Sequence, residues 1–286
     1  MLTRIIPRLD IKGPNLVKGI HLEGLRVLGK PEDFARRYYE EGADELLFMD
    51  VVASLYERNS LLDIVRRTAD EIFIPLAVGG GLRTLDDIRT VLRAGADKVT
   101  LNTAAIRRPE LIREAAQRFG SSTIVVSIEA ILKADGKYEA YTDNGREKTG
   151  LDAIEWAVRA AELGAGELVV TSIDREGTGR GFDLDLIGRT ASAVSIPVIA
   201  SGGAGKAGDV GDALVAGAAA VAIASVLHYN VFQDLKSDHL RFDAGINLAH
   251  LDRPGFARIQ SASLPQIKAE IGSRGFDSRI AEEAFV

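Results

Sequence analysis

The sequence predicts an α/β fold, a single (β/α)8 barrel, on three observations. Eight short apolar runs alternate with stretches whose apolar residues recur every three to four positions, the spacing of amphipathic helices. Apolarity within each run is continuous rather than alternating, which fits strands covered on both faces, as in a parallel sheet. The chain also repeats itself at an offset of 122 residues, so that it reads as two similar halves.

The elements follow in order. RIIPRLD (4–10) is the first strand, and the segment 11–30 after it is longer than an ordinary βα connection, the length at which such loops serve as lids. PEDFARRYYEEGA (31–43) has helical spacing and ends at a glycine; ELLFMDV (45–51) and IPLAV (74–78) are the next two strands. LDDIRTVLRAGA (85–96) is a second helical pattern, followed by DKVTL (97–101), TIVVSIE (123–129), ELVVTSI (167–173), IPVIA (196–200) and AVAIA (220–224). Within this order EEGADEL (40–46) matches ELGAGEL (162–168), IPLAVGGG (74–81) matches IPVIASGG (196–203), and AGADKVTLNTA (94–104) matches AGAAAVAIASV (216–226). A period this long marks a duplicated half-domain rather than a solenoid unit. Eight units in two halves match a TIM barrel built from half-barrels of about 1–120 and 121–230; a doubly wound open sheet is the other arrangement the count permits. The segment 231–260 reads as an insertion after the eighth strand and LPQIKAEIGSRG (264–275) as a terminal helix, with 1–286 forming one domain.

Composition narrows the chemistry. A formal charge of -6 with scattered basic residues argues against nucleic-acid binding. With no cysteine there is no disulfide or thiolate chemistry, and four dispersed histidines lack metal-ligand spacing, so no metal or cofactor is expected. No run reaches the roughly 18 apolar residues of a membrane span, and the N-terminus opens directly on strand-like residues; a cytoplasmic location without membrane association is expected.

The halves place chemistry-bearing residues in pairs. RIIPRLD and TIVVSIE correspond at an offset of 119, so Asp10 and Glu129 are equivalent ends of strands 1 and 5, which face each other across the mouth of a closed barrel. Two opposed carboxyls suit general acid–base work, although either alone is as consistent with capping a loop or pairing with a lysine. GGGLRT (79–84) and SGGAGK (201–206) each follow a strand, and LNTA (101–104) and IASV (223–226) end the next ones. Glycines that let backbone N–H groups approach an anion, with hydroxyls at Thr103 and Ser225, predict two phosphate cradles and an elongated substrate with a phosphate at each end. Lys18 in the long first loop is either a phosphate contact or a solvated lysine, SIDREGT (172–178) is a polar loop after strand 6, and His228 is read as a packing residue. Arg4, Glu45, Lys98 and Glu167 begin strands 1, 2, 4 and 6 and would form a charged ring at the opposite end, for which a salt-bridge cluster is the simplest reading.

The motifs RIIPRLDIK, LVKG (16–19), EEGADELLFMD, IPLAVGGGLR, AGADKVTLNTAAI, TSIDREGT and IPVIASGGAGK together resemble the cyclase subunit of imidazole glycerol phosphate synthase, from residue 2 to about 230. The resemblance implies a half-barrel-duplicated TIM barrel. It also implies a reaction in which ammonia from a glutaminase partner, in a heterodimer, splits and cyclises a bis-phosphorylated formimino aminoimidazole carboxamide ribonucleotide. The products are imidazole glycerol phosphate and aminoimidazole carboxamide ribotide. By motif, Asp10 matches a catalytic aspartate and Lys18 the loop lysine. Gly81, Asn102 and Thr103 match one phosphate site, and Gly177, Gly203, Ala224 and Ser225 the other. The charged ring matches an ammonia gate on the face where the partner docks. Three residues depart from the family pattern: Glu129 and Glu176 stand where it has aspartate, and Arg8 where it has cysteine. Together they resemble divergent paralogues found beside sugar amidotransferases. Two alternatives follow, an ammonia-delivering subunit for amidino-sugar synthesis in surface polysaccharide pathways and a catalytically silent subunit that activates the glutaminase.

Overall fold

A computed structural model of the chain describes residues 2–52, 59–237 and 259–279. Eight parallel strands close on themselves: β1 (Arg4–Lys12), β4 (Leu46–Asp50), β5 (Leu76–Gly79), β6 (Lys98–Leu101), β7 (Ile124–Leu132), β10 (Glu167–Ser172), β11 (Val198–Ser201) and β12 (Ala220–Ile223). Pairing of Val99 with Ile124 joins the first half to the second, and pairing of Arg4 with Ala220 joins the last strand to the first, so the sheet is a barrel and the open doubly wound alternative does not apply.

Each strand lies where its apolar run predicts, and burial explains the runs. One side chain in two packs outward under the helices, where Ile5, Leu9, Phe48, Val126 and Leu168 form part of the main core. The others fill the lumen, with Ile6, Leu47, Ala77, Val125, Val169 and Ile199 as an apolar plug, so the barrel is a packed core and not a pore. The helices obey local rules. Pro31 starts α1 (Pro31–Glu40), and Thr84 and Asp87 form a capping box at the start of α3 (Leu85–Arg93).

The segment 11–30, expected as a long loop, is instead an antiparallel hairpin, β2 (Asn15–Ile20) and β3 (Glu23–Gly29), extending from the upper end of β1. The second half repeats it. β8 (Tyr138–Thr142) and β9 (Glu147–Asp152) extend from β7. Both turns have two successive left-handed residues, His21 and Leu22 (φ 53° and 62°) and Asp143 and Asn144 (φ 51° and 57°), at the same 122-residue offset. The turns touch, since the Asn144 side-chain amide donates to the Leu22 carbonyl at 3.2 Å.

After β12 the chain forms α9 (Ser225–Ser237), so residues 231–237 of the expected insertion continue the helix of the eighth unit, while 238–258 lie outside the described residues. α10 (Leu264–Ser273) then seats against the barrel. Arg274, just past its end, pairs with Asp212 on α8 (Gly208–Val215) at 2.7 Å, and its Lys268 ammonium donates to the Gly42 carbonyl and to Asp44 at 2.7 and 2.9 Å. Asp44 in turn accepts from the Ile5 backbone at 2.9 Å.

Candidate functional site

The strand alternation that fills the lumen also builds the site. On β1 the inward positions are Arg4, Ile6, Arg8 and Asp10, and on β7 they include Val125, Ser127 and Glu129. Asp10 and Glu129 therefore stand at the upper ends of two opposite strands, 4% and 3% exposed. Asp10 accepts from Arg8 Nε at 2.9 Å. The same guanidinium reaches across the lumen, its Nη1 donating to Thr171 Oγ1 and Ser201 Oγ at 3.3 Å each, while Nη2 is buried with no partner.

Glu129 has a different environment. Its Oε2 is buried without a hydrogen bond. Burial pushes its carboxyl up from the usual 4.5 to about 7, against the Arg8 charge and a bond from the Gly145 backbone N–H, while Asp10 and Asp143 add to the rise. A group titrating there can hold or release a proton near neutrality.

The first glycine turn opens into a cavity of about 520 Å³, lined by Asp50, Gly81, Asn102, Thr103, Arg107 and Glu129 among others. Gly80 has φ 102°, and a Cβ there would meet the Asp50 carbonyl at 2.3 Å, so the close strand–turn approach requires glycine. Thr103 Oγ1 accepts from the Asp143 backbone at 3.1 Å, and the helix it starts, α4 (Thr103–Arg107), has five residues. What this turn offers an anion is therefore backbone and hydroxyl groups more than a helix terminus.

The residues assigned to the other phosphate are not among those lining this cavity. Gly203, at φ 116°, accepts at its carbonyl from the Gly181 backbone at 2.9 Å; Ala224 precedes α9 and Ser225 opens it. At Gly177 a Cβ would meet the Gly19 carbonyl at 2.6 Å, so the loop after β10 lies close against the β2–β3 hairpin.

Lys18 is likewise engaged within the protein. It is buried and forms an ion pair with Glu176, rather than standing free at a phosphate cradle. Glu176 also accepts from the Leu22 backbone at 3.0 Å and, through its own carbonyl, from His21 at 3.0 Å. His228 lies in α9 rather than at a strand end. It is fully buried against Tyr38, whose hydroxyl is 2.5 Å from Nδ1, and burial lowers it to about 3, which fits the packing role expected.

At the other end of the barrel the four charged residues meet. Arg4 contacts Glu45 and Glu167 at 2.7 and 2.8 Å, and Lys98 contacts the same two at 2.8 and 3.1 Å, closing a ring of alternating charge. Arg4 and Asp10 are six residues apart on one strand, so ring and mouth are separated by roughly 20 Å.

Sequence reasoning did not find the Arg8 bridge to Asp10, Thr171 and Ser201, nor the Lys18–Glu176 pair. The first had a signal in the period-two alternation that puts residues 8 and 10 on one face. For the second, partners 158 positions apart in the chain had none.

A family model described as "Histidine biosynthesis protein" matches residues 4–233. Proteins named imidazole glycerol phosphate synthase subunit HisF are similar over most of the chain. One from Legionella pneumophila is 59% identical over 203 residues, covering 71% of this chain and 96% of that protein. One from Alkaliphilus metalliredigens is 50% identical over 228 residues, 79% of this chain and 90% of its own length. One from Streptomyces avermitilis is 52% identical over 229 residues, 80% and 91%.

Proposed function

The chain belongs to the histidine biosynthesis protein family, among the cyclase subunits of imidazole glycerol phosphate synthase, and from that membership we propose how its own residues carry the reaction. The observation that carries the reading is the pair of buried carboxyls on opposite strands, Asp10 and Glu129, at the mouth of one closed barrel. Glu129, which retains its proton up to near neutrality, serves as general acid, and Asp10 as general base, in the splitting and closure of the bis-phosphorylated ribonucleotide. Gly81, Asn102 and Thr103 hold one phosphate beside Glu129, supported by the cavity they share. Gly177, Gly203, Ala224 and Ser225 hold the second.

Lys18 reaches the substrate only by leaving Glu176, so the hairpin that carries it acts as a lid. The glutaminase partner docks against the Arg4–Glu45–Lys98–Glu167 ring, and ammonia it delivers crosses the barrel only as the packed side chains of the lumen move aside. The relatives favour this reading over amidino-sugar synthesis or a silent activating subunit.

The test is direct. Purified chain, supplied with ammonium salt and the formimino ribonucleotide but no partner, is expected to form imidazole glycerol phosphate and aminoimidazole carboxamide ribotide, followed by chromatography. A folded protein that forms neither would return the assignment to the two alternatives.

A further inference from the structure

Duplication makes Asp10 and Glu129 equivalent, yet the residues two positions before them differ: Arg8 in the first half and Ser127 in the second. Both are buried in the lumen, 4% and 2% exposed. One carboxyl therefore has a guanidinium on its own strand, and the other a hydroxyl.

Stability gives a poor account of Arg8. Taking a guanidinium out of water is costly, and here one of its nitrogens, Nη2, lies buried without a partner. Buried ion pairs can commonly be replaced by packed apolar side chains at no loss of stability. What the geometry does provide is a clamp. Nε holds Asp10 Oδ1 at 2.9 Å, and Nη1 is tethered to Thr171 on β10 and Ser201 on β11, so Asp10 is braced from across the lumen.

Charge around the mouth is uneven in the same sense. Asp10 on β1, Glu129 on β7 and Glu176 after β10 are three buried carboxyls, and Arg8 and Lys18 on β2 are the buried cations facing them. Lys18 pairs with Glu176 and Arg8 with Asp10. Among the described residues no cation bonds Glu129. Of the remaining neighbours, His228 on α9 is held neutral, Tyr229 beside it is raised to about 12, and Asp50, Asp143, Arg83, Arg107, Arg108 and Arg146 line the cavity that Glu129 shares, where Arg107 pairs with Asp143 and Arg108 with Glu114 rather than with Glu129.

We propose that Arg8 is a positioning residue that breaks the symmetry of the duplicated carboxyls, engaging Asp10 in a braced ion pair and leaving Glu129, which no cation bonds among the described residues, as the proton carrier. This rests on the cyclase reading of the site for its chemistry, but not for its electrostatics. Burial is the main cause of the Glu129 rise to about 7, and the Arg8 charge opposes it, so removing that charge must move the carboxyl further up.

The experiment separates the two dependencies. Carboxyl titration by ¹³C NMR without substrate, with Glu129→Gln to assign the signal, is run on the wild type, Arg8→Met and Arg8→Lys. The Glu129 midpoint is expected to rise by about one pH unit in Arg8→Met and to stay near wild type in Arg8→Lys, which keeps the charge. In the ammonia-dependent assay the falling limb of kcat/KM moves up with that midpoint. Arg8→Lys keeps the limb but loses about tenfold or more in kcat, because the Nε brace on Asp10 is gone. A merely structural Arg8 would scale activity without moving either readout.

An unmoved midpoint in folded Arg8→Met overturns the proposal. If that variant does not fold, a shifted midpoint in Arg8→Lys overturns it instead. A moved midpoint in a protein that makes no product keeps the charge assignment and removes the cyclase reading; turnover with an unmoved limb does the reverse.

Discussion

At the scale of single residues, the behaviour of Glu129 follows from its burial. Its carboxyl rises from 4.5 to about 7 on folding, so the protonated form is favoured by the fold. That contribution is fully present below about 4.5 and is lost as pH rises toward 7, an effect on the order of 3 kcal/mol. Denaturant midpoints at pH 5 and pH 8 are expected to differ by more in the wild type than in Glu129→Gln, which has no proton to lose. The same variant is expected to abolish ammonia-dependent turnover, since an amide keeps the size but not the transferable proton. Glu129→Asp, which restores the side chain of the family pattern, is expected to retain or raise turnover. Product formation by folded Glu129→Gln at the wild-type rate would remove the acid role. That a buried strand carries a carboxylate at its upper end was legible in TIVVSIE; that Arg8 reaches over the lumen to β10 and β11 was not, because a sequence gives the face of a side chain and not its path.

At the scale of elements, the hairpins β2–β3 and β8–β9 are where reading and structure part. The eight barrel strands announced themselves by continuous apolar runs, whereas the hairpin strands lack such runs and are partly exposed, with Leu28 the one buried residue along β3. Asn144–Gly145, between Tyr138–Thr142 and Glu147–Asp152, was a hairpin signal for the second pair. The first hairpin is fastened to the barrel by the buried Lys18–Glu176 pair, and removing one member leaves the other charge without its partner. Glu176→Gln is expected to loosen residues 15–29 by about 3 kcal/mol, seen as faster amide exchange there with β8 and β9 unchanged. Uniform acceleration across both hairpins would show that the pair supports the whole mouth instead.

At the scale of the molecule, the repeat at 122 residues and the closure of the sheet are two views of one duplication, and the first was legible because glycine turns and strand starts recur together. The lower ring was legible as well, since its four members begin strands 1, 2, 4 and 6, and the fold added which of them touch. Lys98→Met or Glu167→Gln, assayed with a glutaminase subunit, is expected to lower glutamine-dependent turnover several-fold while ammonia-dependent turnover stays within twofold. Equal losses would make the ring a structural clasp only. The seam between β1 and β12 has a further consequence, for synthesis. Arg4 pairs with Ala220, so β1 waits after its own synthesis for about two hundred residues to be made, on the order of ten seconds or more. Until then β2 covers β1 only from Asp10 to Lys12, and the backbone from Arg4 to Pro7 is an open edge. Nascent chains stalled before β12 should therefore be the form of this protein most prone to strand-to-strand aggregation, and the form most dependent on chaperones.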